Sequence, residues 1–321
     1  MDLKSKKEYI DKIKDLAQKK NAIIFAHYYT RPEIQEIADF IGDSLALAQQ
    51  ATRVRADILI MCGVHFMGET MKILCPDKKV LVPDLNAGCS LADSCKAEDL
   101  EAFIKQIQTT SNNIKPIVVS YVNTTAEVKA LTDVVVTSSN AKKIIDQLPE
   151  DKQIIFGPDH NLGSYINSVT GRNMILWNGA CHVHSRFSLE ALLKLKAENP
   201  GVEVLAHPEC KAPVLAQSDV IGSTKYLLEY AVSSENKSFI VATESGILFE
   251  MQRACPDKKF IPVPPEMTDG IGCSCNECEY MRMNTLEKLY DCLLNESPEI
   301  TVSQETAQKA VKSIQRMLEM S

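Results

Sequence analysis

Residues 56–84 of the chain are ADILIMCGVHFMGETMKILCPDKKVLVPD, and residues 237–264 are KSFIVATESGILFEMQRACPDKKFIPVP. In both stretches two short apolar runs enclose a segment with helical periodicity, which predicts a strand, a helix, a turn and a second strand. The pentapeptide CPDKK occurs in both, at the predicted turn. Strands that alternate with helices in this way are typical of parallel sheets covered on both faces. These stretches therefore predict an α/β fold.

A third copy of the pattern is predicted at 132–159, TDVVVTSSNAKKIIDQLPEDKQIIFGPD. Each copy follows a strand that ends in polar or aromatic residues, at His27, Tyr121 and His207. From these residues to the proline of the turn the distances are 76 − 27 = 49, 149 − 121 = 28 and 256 − 207 = 49 residues. The outer copies match, and the middle copy is expected to lack one βα unit.

Three similar α/β units are therefore predicted: 1–98 with an N-terminal helix, a shorter 99–186, and 187–321 with C-terminal helices. If they pack around a pseudo-threefold axis, the carboxyl ends of their strands meet at one centre, where ligands of α/β sheets bind. The alternative is that the units are separate domains whose residues never meet. The repeated pentapeptide and the equal spacings favour a triplication.

The 321 residues carry 35 basic and 42 acidic side chains, a net charge of −7, without a long basic run. This balance argues against nucleic acid or an anionic membrane as a partner. No stretch reaches the roughly 18 apolar residues of a membrane span. The polar start MDLKSKKEYIDKIKDLAQKK lacks the apolar segment of a signal peptide. We therefore expect a cytoplasmic protein whose eleven cysteines form no disulfide framework.

After each copy of the pattern comes a cysteine flanked by glycine. It is Cys89 in NAGC, Cys181 in NGAC, and one of Cys273, Cys275 and Cys278 in GIGCSCNEC. Three converging thiolates suit either a zinc ion with a bound water or an iron–sulfur cluster with one open iron. Because an electron-transfer cluster would normally have four protein ligands, three ligands predict a metal centre with a catalytic role. Other cysteines in apolar runs are predicted to be small buried side chains: Cys62, Cys75, Cys210, Cys255 and Cys292.

The predicted strand ends and helix starts carry a second group of candidates. At the strand ends stand His27, Tyr29, Tyr121, Asn123, His207 and Glu209, and at the helix starts stand Ser44, Ser138, Ser223 and Thr224. Each could be structural, the hydroxyls as ordinary helix caps. Helix N-termini also bind phosphate and carboxylate, so three of them facing one centre predict a substrate with several negative groups. No GxGxxG or Walker loop is present, which argues against a nucleotide cofactor.

The chain resembles the quinolinate synthase family through essentially its whole length. The motifs that carry the resemblance are, in order, AHYYTRPEIQEIADFIGDSLALAQ, CGVHFMGETMKIL, PDLNAGCSLADSC, SYVNTTAEVKALTDVVVTSSNA, GPDHNLGSY, WNGACHVH, AHPEC, GSTKYLLEY and CEYMRMNTLEKLY. The resemblance implies three α/β/α sandwich domains around a pseudo-threefold axis, with the site at their common centre. It also implies a 4Fe–4S cluster whose open iron is a Lewis acid. The implied reaction condenses iminosuccinate with dihydroxyacetone phosphate to quinolinate, phosphate and two waters.

By motif, the resemblance implies the cluster ligands Cys89, Cys181 and Cys278. It leaves Cys95 as a bystander, and Cys273 and Cys275 as bystanders or a reversible disulfide. The implied substrate contacts are His27, Ser44, Tyr121, Asn123, Ser138, His207, Glu209 and Thr224, with Ser223 beside them. The expected catalytic side chains, which move protons or take part beside those that do, are Tyr29, Tyr121, His184, His207 and Glu209. Glu209 is also expected to hold the water of the open iron.

Two other functions stay open at this point. The same three thiolates could serve a zinc-dependent lyase or hydrolase. The last cysteine cluster could instead serve a non-catalytic iron–sulfur redox sensor, although a sensor would not need three anion-binding helix starts. For the enzyme, the expected functional coupling is to an aspartate oxidase or dehydrogenase as the source of iminosuccinate.

Overall fold

The structure, a computed structural model, describes residues 3–266 and 276–321. The first part of the chain forms α1 (Leu3–Lys19), β1 (Ala22–His27), α2 (Pro32–Ile37), β2 (Phe40–Gly42), α3 (Ser44–Ala51), β3 (Ile58–Cys62), α4 (His65–Leu74) and β4 (Lys79–Leu81). The middle part forms α5 (Ser90–Asp93), α6 (Ala97–Thr110), β5 (Ile117–Tyr121), α7 (Ala126–Ala130), β6 (Val134–Val136), α8 (Ala141–Asp146), β7 (Ile154–Gly157), α9 (His160–Thr170), β8 (Ile175–Leu176) and a 3-10 turn (His184–Arg186).

The last part of the chain repeats the alternation and then becomes helical. It forms α10 (Leu189–Glu198), β9 (Glu203–Ala206), α11 (Ala212–Leu215), β10 (Val220–Ile221), α12 (Thr224–Ser233), β11 (Ser238–Ala242), α13 (Ile247–Ala254), β12 (Lys259–Pro262), α14 (Glu279–Arg282), α15 (Leu286–Asn295) and α16 (Gln304–Met320). Over the two described ranges, no helix has the length and apolar character needed to cross a bilayer.

Three sheets of four parallel strands organise the molecule, and their strand orders correspond. The orders are β2-β1-β3-β4, β6-β5-β7-β8 and β10-β9-β11-β12. Helices flank each sheet, so the strands are covered on both faces, which is why their sequences are continuous apolar runs. Every residue of β3 and of β7 is buried. The predicted α/β class with three similar sandwich units is confirmed.

One hydrogen bond recurs in all three units. The Oδ2 atoms of Asp39, Asp133 and Asp219 each accept the backbone N–H of a residue 15 positions earlier, at 2.8 Å in every case. Each aspartate stands immediately before the second strand of its unit and bonds to the first strand. It therefore ties the two strands together at the same point, and the three units are copies of one pattern.

The CPDKK pentapeptide has a packing role. In the first unit the Sγ of Cys75 donates to the carbonyl of Ala51 at 3.4 Å, and the Nζ of Lys78 donates to the carbonyl of Val54. These carbonyls lie at and just beyond the end of α3, where the helix leaves carbonyl groups without intrahelical partners. In the third unit Cys255 and the lysine three residues after it bind carbonyls at the end of α12 in the same way.

The middle unit does not lack a βα unit, and this expectation is wrong. Residues 132–159 span β6, α8 and β7, whereas 56–84 span β3, α4 and β4. The counterpart of the outer copies therefore runs from β7 through α9 to β8. The error arises because the middle proline turn precedes the third strand rather than the fourth, so the 28-residue spacing measures a shorter interval.

Helices α15 and α16 pack on the first two units, although they were expected to belong with the third. Helix α15 lies against α1, and its Leu289 and Leu293 share an apolar cluster with Ile13. Helix α16 lies along α7 and β6, where the Ser313 hydroxyl donates to the carbonyl of Lys129 at 2.8 Å. The end of the chain therefore closes over the first and second units, while the boundaries near 98 and 186 stay predictions.

The cysteines that were predicted to be packing residues lie in the interior. Cys62, Cys75, Cys210, Cys255 and Cys292 are all buried, and so is Cys95, which was expected to be a bystander. The structural part of their prediction is confirmed, because thiols in apolar surroundings behave as small hydrophobic side chains. Cys273 and Cys275 lie outside the described residues.

Candidate active site

A central cavity lies where the three units meet. Nearly all the residues predicted from strand ends, helix starts and cysteine loops line it. They are His27, Tyr29, Ser44, Cys89, Tyr121, Asn123, Ser138, Cys181, His184, His207, Glu209, Thr224 and Cys278. Ser223 is the exception, since its hydroxyl accepts the backbone N–H of Tyr226 and so caps α12. The structure thus brings together side chains that are about ninety residues apart in sequence.

Two histidines hold corresponding positions at the ends of β1 and β9. The Nδ1 of His27 accepts the backbone N–H of Tyr29 at 3.2 Å, and the Nδ1 of His207 accepts that of Glu209 at 3.3 Å. Burial lowers the pKa of His27 to about 4 and the pKa of His207 to about 3. Because Nδ1 is an acceptor, the ring proton is on Nε2, which in His207 lies 3.2 Å from the Ser138 hydroxyl. Both rings are therefore neutral hydrogen-bond donors near pH 7.

Glu209 is a buried carboxylate surrounded by donors. The Tyr121 hydroxyl donates to its Oε1 at 2.5 Å, and the Nδ1 of His184 lies 3.2 Å from its Oε2. Burial alone would raise the pKa of Glu209, but the adjacent His184 and the hydrogen bond from the Tyr121 hydroxyl outweigh burial and hold this pKa below its usual value. Burial and the same carboxylate raise the pKa of Tyr121 well above 10. The site therefore pairs a proton acceptor with a phenol that keeps its proton.

A chain of hydroxyl groups leads from the first unit to His184. The Tyr29 hydroxyl lies 2.5 Å from Thr224 Oγ1 and 3.0 Å from Thr243 Oγ1, and the Nε2 of His184 lies 3.0 Å from the same Thr243 oxygen. Thr243 follows β11 in the sequence VATES, and the sequence analysis missed it. Its signal was the position after a predicted strand, at the same sheet edge as the other candidates.

Two helices present their N-termini to the cavity. Ser44 and Thr224 are the first residues of α3 and α12, and the capping role belongs in each case to the preceding residue. Asp43 accepts the backbone N–H of Ala46 at 2.9 Å. Because Asp43 and Ser223 are the caps, the hydroxyls of Ser44 and Thr224 face the cavity beside the positive ends of the helix dipoles.

The three cavity thiols, Cys89, Cys181 and Cys278, share a local geometry. Cys89 and Cys278 are the N-cap residues of α5 and α14, and Cys181 lies three residues before the 3-10 turn. Burial raises the pKa of Cys89 to about 11, that of Cys278 to about 12, and that of Cys181 well above its usual value. In each case a backbone N–H group three residues after the cysteine lowers the pKa of the thiol and so opposes the effect of burial. These N–H groups belong to Ala92, His184 and Met281. The common offset identifies the three thiols as equivalent.

Other groups around the thiols complete the set of potential ligands. The Sγ of Cys181, a ring nitrogen of His184 and a carboxylate oxygen of Glu209 lie within 4.8 Å of one another. The Nδ2 of Asn123 lies 4.0 Å from the Sγ of Cys89. These side chains come from the second, third and first units, so the ligand groups converge on one side of the cavity.

Glu244 supports the third thiol and was also missed by the sequence analysis. Its Oε1 accepts the backbone N–H of Cys278 at 3.0 Å and lies 3.3 Å from Arg282 Nη2, while its Oε2 accepts the N–H of Gly246 at 2.6 Å. Burial raises the pKa of Glu244 to about 7. This carboxylate thereby joins the loop after β11 to the Cys278 loop.

The fold and the cavity define a class of protein, an α/β enzyme of three similar units with three thiols at their common centre. The family described as NadA, quinolinate synthetase A protein, matches residues 11–319. The chain belongs to this family, whose members are enzymes of NAD biosynthesis.

Named relatives agree over nearly the whole chain. A quinolinate synthase of Microcystis aeruginosa is 53% identical over 309 residues, 96% of this chain and 94% of the relative. A quinolinate synthase of Chloroherpeton thalassium is 50% identical over 317 residues, 99% of this chain and 96% of the relative. A third, from a Synechococcus strain, is 53% identical over 95% of this chain and 93% of the relative. The predicted family is confirmed.

Proposed function

We propose that the enzyme condenses iminosuccinate with dihydroxyacetone phosphate, giving quinolinate, inorganic phosphate and two waters. The observation that carries the proposal is the meeting of three cysteines, two neutral histidines and one buried carboxylate at a single cavity. Both substrates are small and anionic, and the cavity walls offer neutral donors and helix N-termini rather than a nucleotide-binding loop. The family name of the relatives supports the same product.

The cofactor in this proposal is a 4Fe–4S cluster held by Cys89, Cys181 and Cys278. The three thiols fit it, because they line one cavity from three different loops and thiolates are the usual ligands of iron–sulfur clusters. Backbone N–H groups facing all three sulfurs are a further feature of cluster sites. With three protein ligands, the cluster supplies a Lewis-acid iron that can bind a hydroxyl group of the reacting molecule.

Substrate binding is assigned to the neutral donors and the helix starts. The Nε2 atoms of His27 and His207 donate to carboxylate or phosphate oxygens without adding charge. Ser44 and Thr224 add hydroxyl donors at the ends of two helix dipoles, where anions are stabilised. Ser138, already within hydrogen-bond distance of His207, and Asn123 complete the cradle.

Proton transfer is assigned to Glu209, Tyr121 and the chain from Tyr29 to His184. As a carboxylate, Glu209 accepts a proton at Oε2 when the imine of iminosuccinate becomes the enamine that attacks carbon. Tyr121, which keeps its proton, donates to the oxygen of the reacting molecule or to Glu209 Oε1. His184, whose Nδ1 lies 3.2 Å from Glu209 Oε2, takes over that proton and returns it during ring closure, with Thr243 and Tyr29 holding its orientation.

The grouping of the ligand atoms favours a cluster over a zinc ion bound by all three thiolates. Two atoms bound to one zinc at about 2.3 Å lie at most about 4.6 Å apart. Among the described residues, the group whose ligand atoms all lie within 4.8 Å is Cys181, His184 and Glu209, and the three sulfurs do not form such a group. The acid–base groups around the cavity likewise favour an enzyme over a redox sensor.

The decisive experiment is an anaerobic assay for quinolinate from oxaloacetate, ammonia and dihydroxyacetone phosphate. We expect product with the cluster-loaded protein, and none after the cluster is removed with a chelator under reducing conditions. Iron and sulfide analysis should give about four of each per chain. Product formation by a zinc-loaded, iron-free protein would overturn the proposal.

We also propose where in the cell the reaction takes place and which kind of enzyme supplies its iminosuccinate. The nine described cysteines are free thiols, which suits the reducing cytoplasm. Iminosuccinate would be supplied by an oxidase or dehydrogenase acting on aspartate. The net charge of −7 argues against nucleic acid as a partner.

A further inference from the structure

The residues that immediately follow the three cavity thiols form one hydrogen-bonded chain. They are Ser90, His182 and Glu279, one from each cysteine loop. The Nδ1 of His182 lies 2.8 Å from the Ser90 hydroxyl, and its Nε2 lies 2.9 Å from Glu279 Oε2. The backbone N–H of His182 also donates to the Ser90 hydroxyl at 3.3 Å. One imidazole thus bridges loops that are 92 and 97 residues away in sequence.

The donors and acceptors of this chain are mutually consistent. A carboxylate only accepts, so the Nε2 of His182 carries the proton and donates it to Glu279. The Nδ1 atom is then an acceptor for the Ser90 hydroxyl proton. No ring nitrogen is left without a partner, and the network does not depend on a charged imidazole.

The same loops also pack around this imidazole. The ring of Tyr280 meets the ring of His182 edge-on, with centroids 5.9 Å apart. Next to Cys89, a Cβ added at Gly88 would lie 3.6 Å from the Tyr280 ring. At Gly179, two residues before Cys181, an added Cβ would lie only 2.5 Å from the Ser94 hydroxyl. The three loops therefore contact one another beside the thiols, and the chain of hydrogen bonds runs through that contact.

We propose that Ser90, His182 and Glu279 form a clamp that holds the three cysteine loops in register and thereby slows the loss of the cluster. The inference rests on the proposed function, because it takes the three cysteines to be the cluster ligands. Each clamp residue is joined to its cysteine by a single peptide bond, so a displacement of one moves the other. Ser90 and His182 also line the cavity, but their role here is that of positioning residues, which act through the loops that carry the thiols.

A largely exposed hydrogen bond between a histidine and a carboxylate would by itself contribute little to folding stability. The Glu279 side chain is 61% exposed and that of His182 is 30% exposed. The expected effect is therefore on how long the loops keep the metal rather than on the fold. Hydrogen-bonding partners that orient metal ligands typically change metal affinity by 10- to 100-fold when removed.

The test measures iron release from the reconstituted holoenzyme to an excess of chelator, without oxygen and without denaturant. We expect H182A and E279A to release iron about tenfold faster than the wild type. The conservative variant E279Q keeps an acceptor for Nε2 and should release iron at nearly the wild-type rate. The double variant S90A/H182A should be no faster than H182A alone, because both changes break one network.

The matched control is H160A, since His160 is an exposed histidine on α9 whose ring lies 3.5 Å from a serine hydroxyl. It should leave the release rate unchanged, and the melting temperature of each cluster-free variant reports on the fold. If H182A does not fold, the comparison of E279A with E279Q still tests the clamp, because the Glu279 side chain is exposed. Wild-type rates in both H182A and E279A, or equal acceleration in E279A and E279Q, would overturn the clamp. A wild type that takes up no cluster would instead defeat the proposed function.

Discussion

Two sets of cysteines in this molecule have surroundings of different kinds. The turn thiols, Cys75 and Cys255, stand in an identical pentapeptide, and each donates to a carbonyl 24 residues earlier. The cavity thiols stand in NAGCS, NGACH and NECEY, of which the first two are similar and the third differs around its cysteine. What the cavity thiols share is a backbone N–H three residues later that faces the sulfur.

The difference separates a packing motif from a site. A turn thiol meets the end of a helix with its side chain, so the same helix end requires the same side chains and the sequence repeats. At the cavity the backbone provides the common geometry, and the flanking side chains are free to differ. The verbatim repeat in this chain therefore marks packing, whereas the cavity thiols are recognised by the convergence of three loops.

The largest expected effect is on a cavity thiol. Changing Cys278→Ser should lower the iron content after anaerobic reconstitution from about four per chain to near zero, because one ligand of three is lost. Iron and sulfide analysis measures this, and quinolinate formation should vanish with the iron. Cys255→Ser, the same change at a turn thiol, should keep the iron. A C278S variant with a full cluster would show that another cysteine is the ligand.

Next in size is the effect of removing the buried carboxylate. Changing Glu209→Gln should reduce turnover by at least about a hundredfold, because a positioned proton acceptor contributes that much or more. The visible absorption of the cluster should be unchanged. The exposed Glu266→Gln serves as the control. Loss of the cluster in E209Q would contradict the assignment of Glu209 as an acid–base group.

Because the CPDKK turns have a packing role, a change in one of them should affect stability alone. Lys258 donates to the carbonyls of Ala231 and Ser234 at 2.6 and 2.5 Å, and Lys258→Met removes both bonds. Charge-assisted hydrogen bonds contribute about 1.5–3 kcal/mol, so the free energy of unfolding should fall by about 2 kcal/mol. The control is Lys152→Met in the middle copy, an exposed position expected to change little. Equal losses in both variants would refute the packing role, as measured by urea unfolding of cluster-free protein.

A pH dependence should distinguish the cavity from the turn. The pKa of His207 is lowered to about 3, so below pH 6.5 the unfolded chain binds a proton that the folded chain does not. Stability is lost as the pH falls, and between pH 7.5 and 5.5 this histidine should cost about 1.4 kcal/mol. In H207Q the fall should be smaller by that amount, whereas K258M should follow the wild type. Parallel curves for the wild type and H207Q would show that His207 titrates normally.

The smallest effect is expected at a turn thiol. Cys75→Ala removes one weak donor and a small volume from a buried position, and should lower the free energy of unfolding by about 1 kcal/mol. Chemical unfolding measures the loss, and Cys255→Ala should match it because the two turns correspond. Iron content and activity should stay at wild-type levels in both. A loss of iron in either variant would contradict the distinction between the turn thiols and the cavity thiols.

Much of the fold could be predicted from local patterns. Continuous apolar runs predicted buried parallel strands, and equal spacings from His27 and His207 to the turn prolines predicted corresponding units. The register of the middle copy could not be obtained in this way. Its proline turn resembles CPDKK in composition, but only the sheet order shows that it precedes a different strand.

The candidate site, like the fold, was predictable in part from local sequence patterns. Side chains after parallel strands share one sheet edge, so His207 and Glu209 could be chosen from sequence. Thr243 and Glu244 follow a strand too, but their importance lies in contacts with Tyr29, His184 and Cys278, which are far away in sequence.

By itself, the sequence determined the alternation of strands and helices, the triplication and the sheet edge that carries the polar residues. These follow from hydrophobic periodicity and chain geometry within a few tens of residues. The tertiary structure decided which thiols share a cavity, where α15 and α16 dock, and that His182 bridges two other loops. Such contacts join residues up to 276 positions apart, and they exist only because the three sheets and the helices around them pack together.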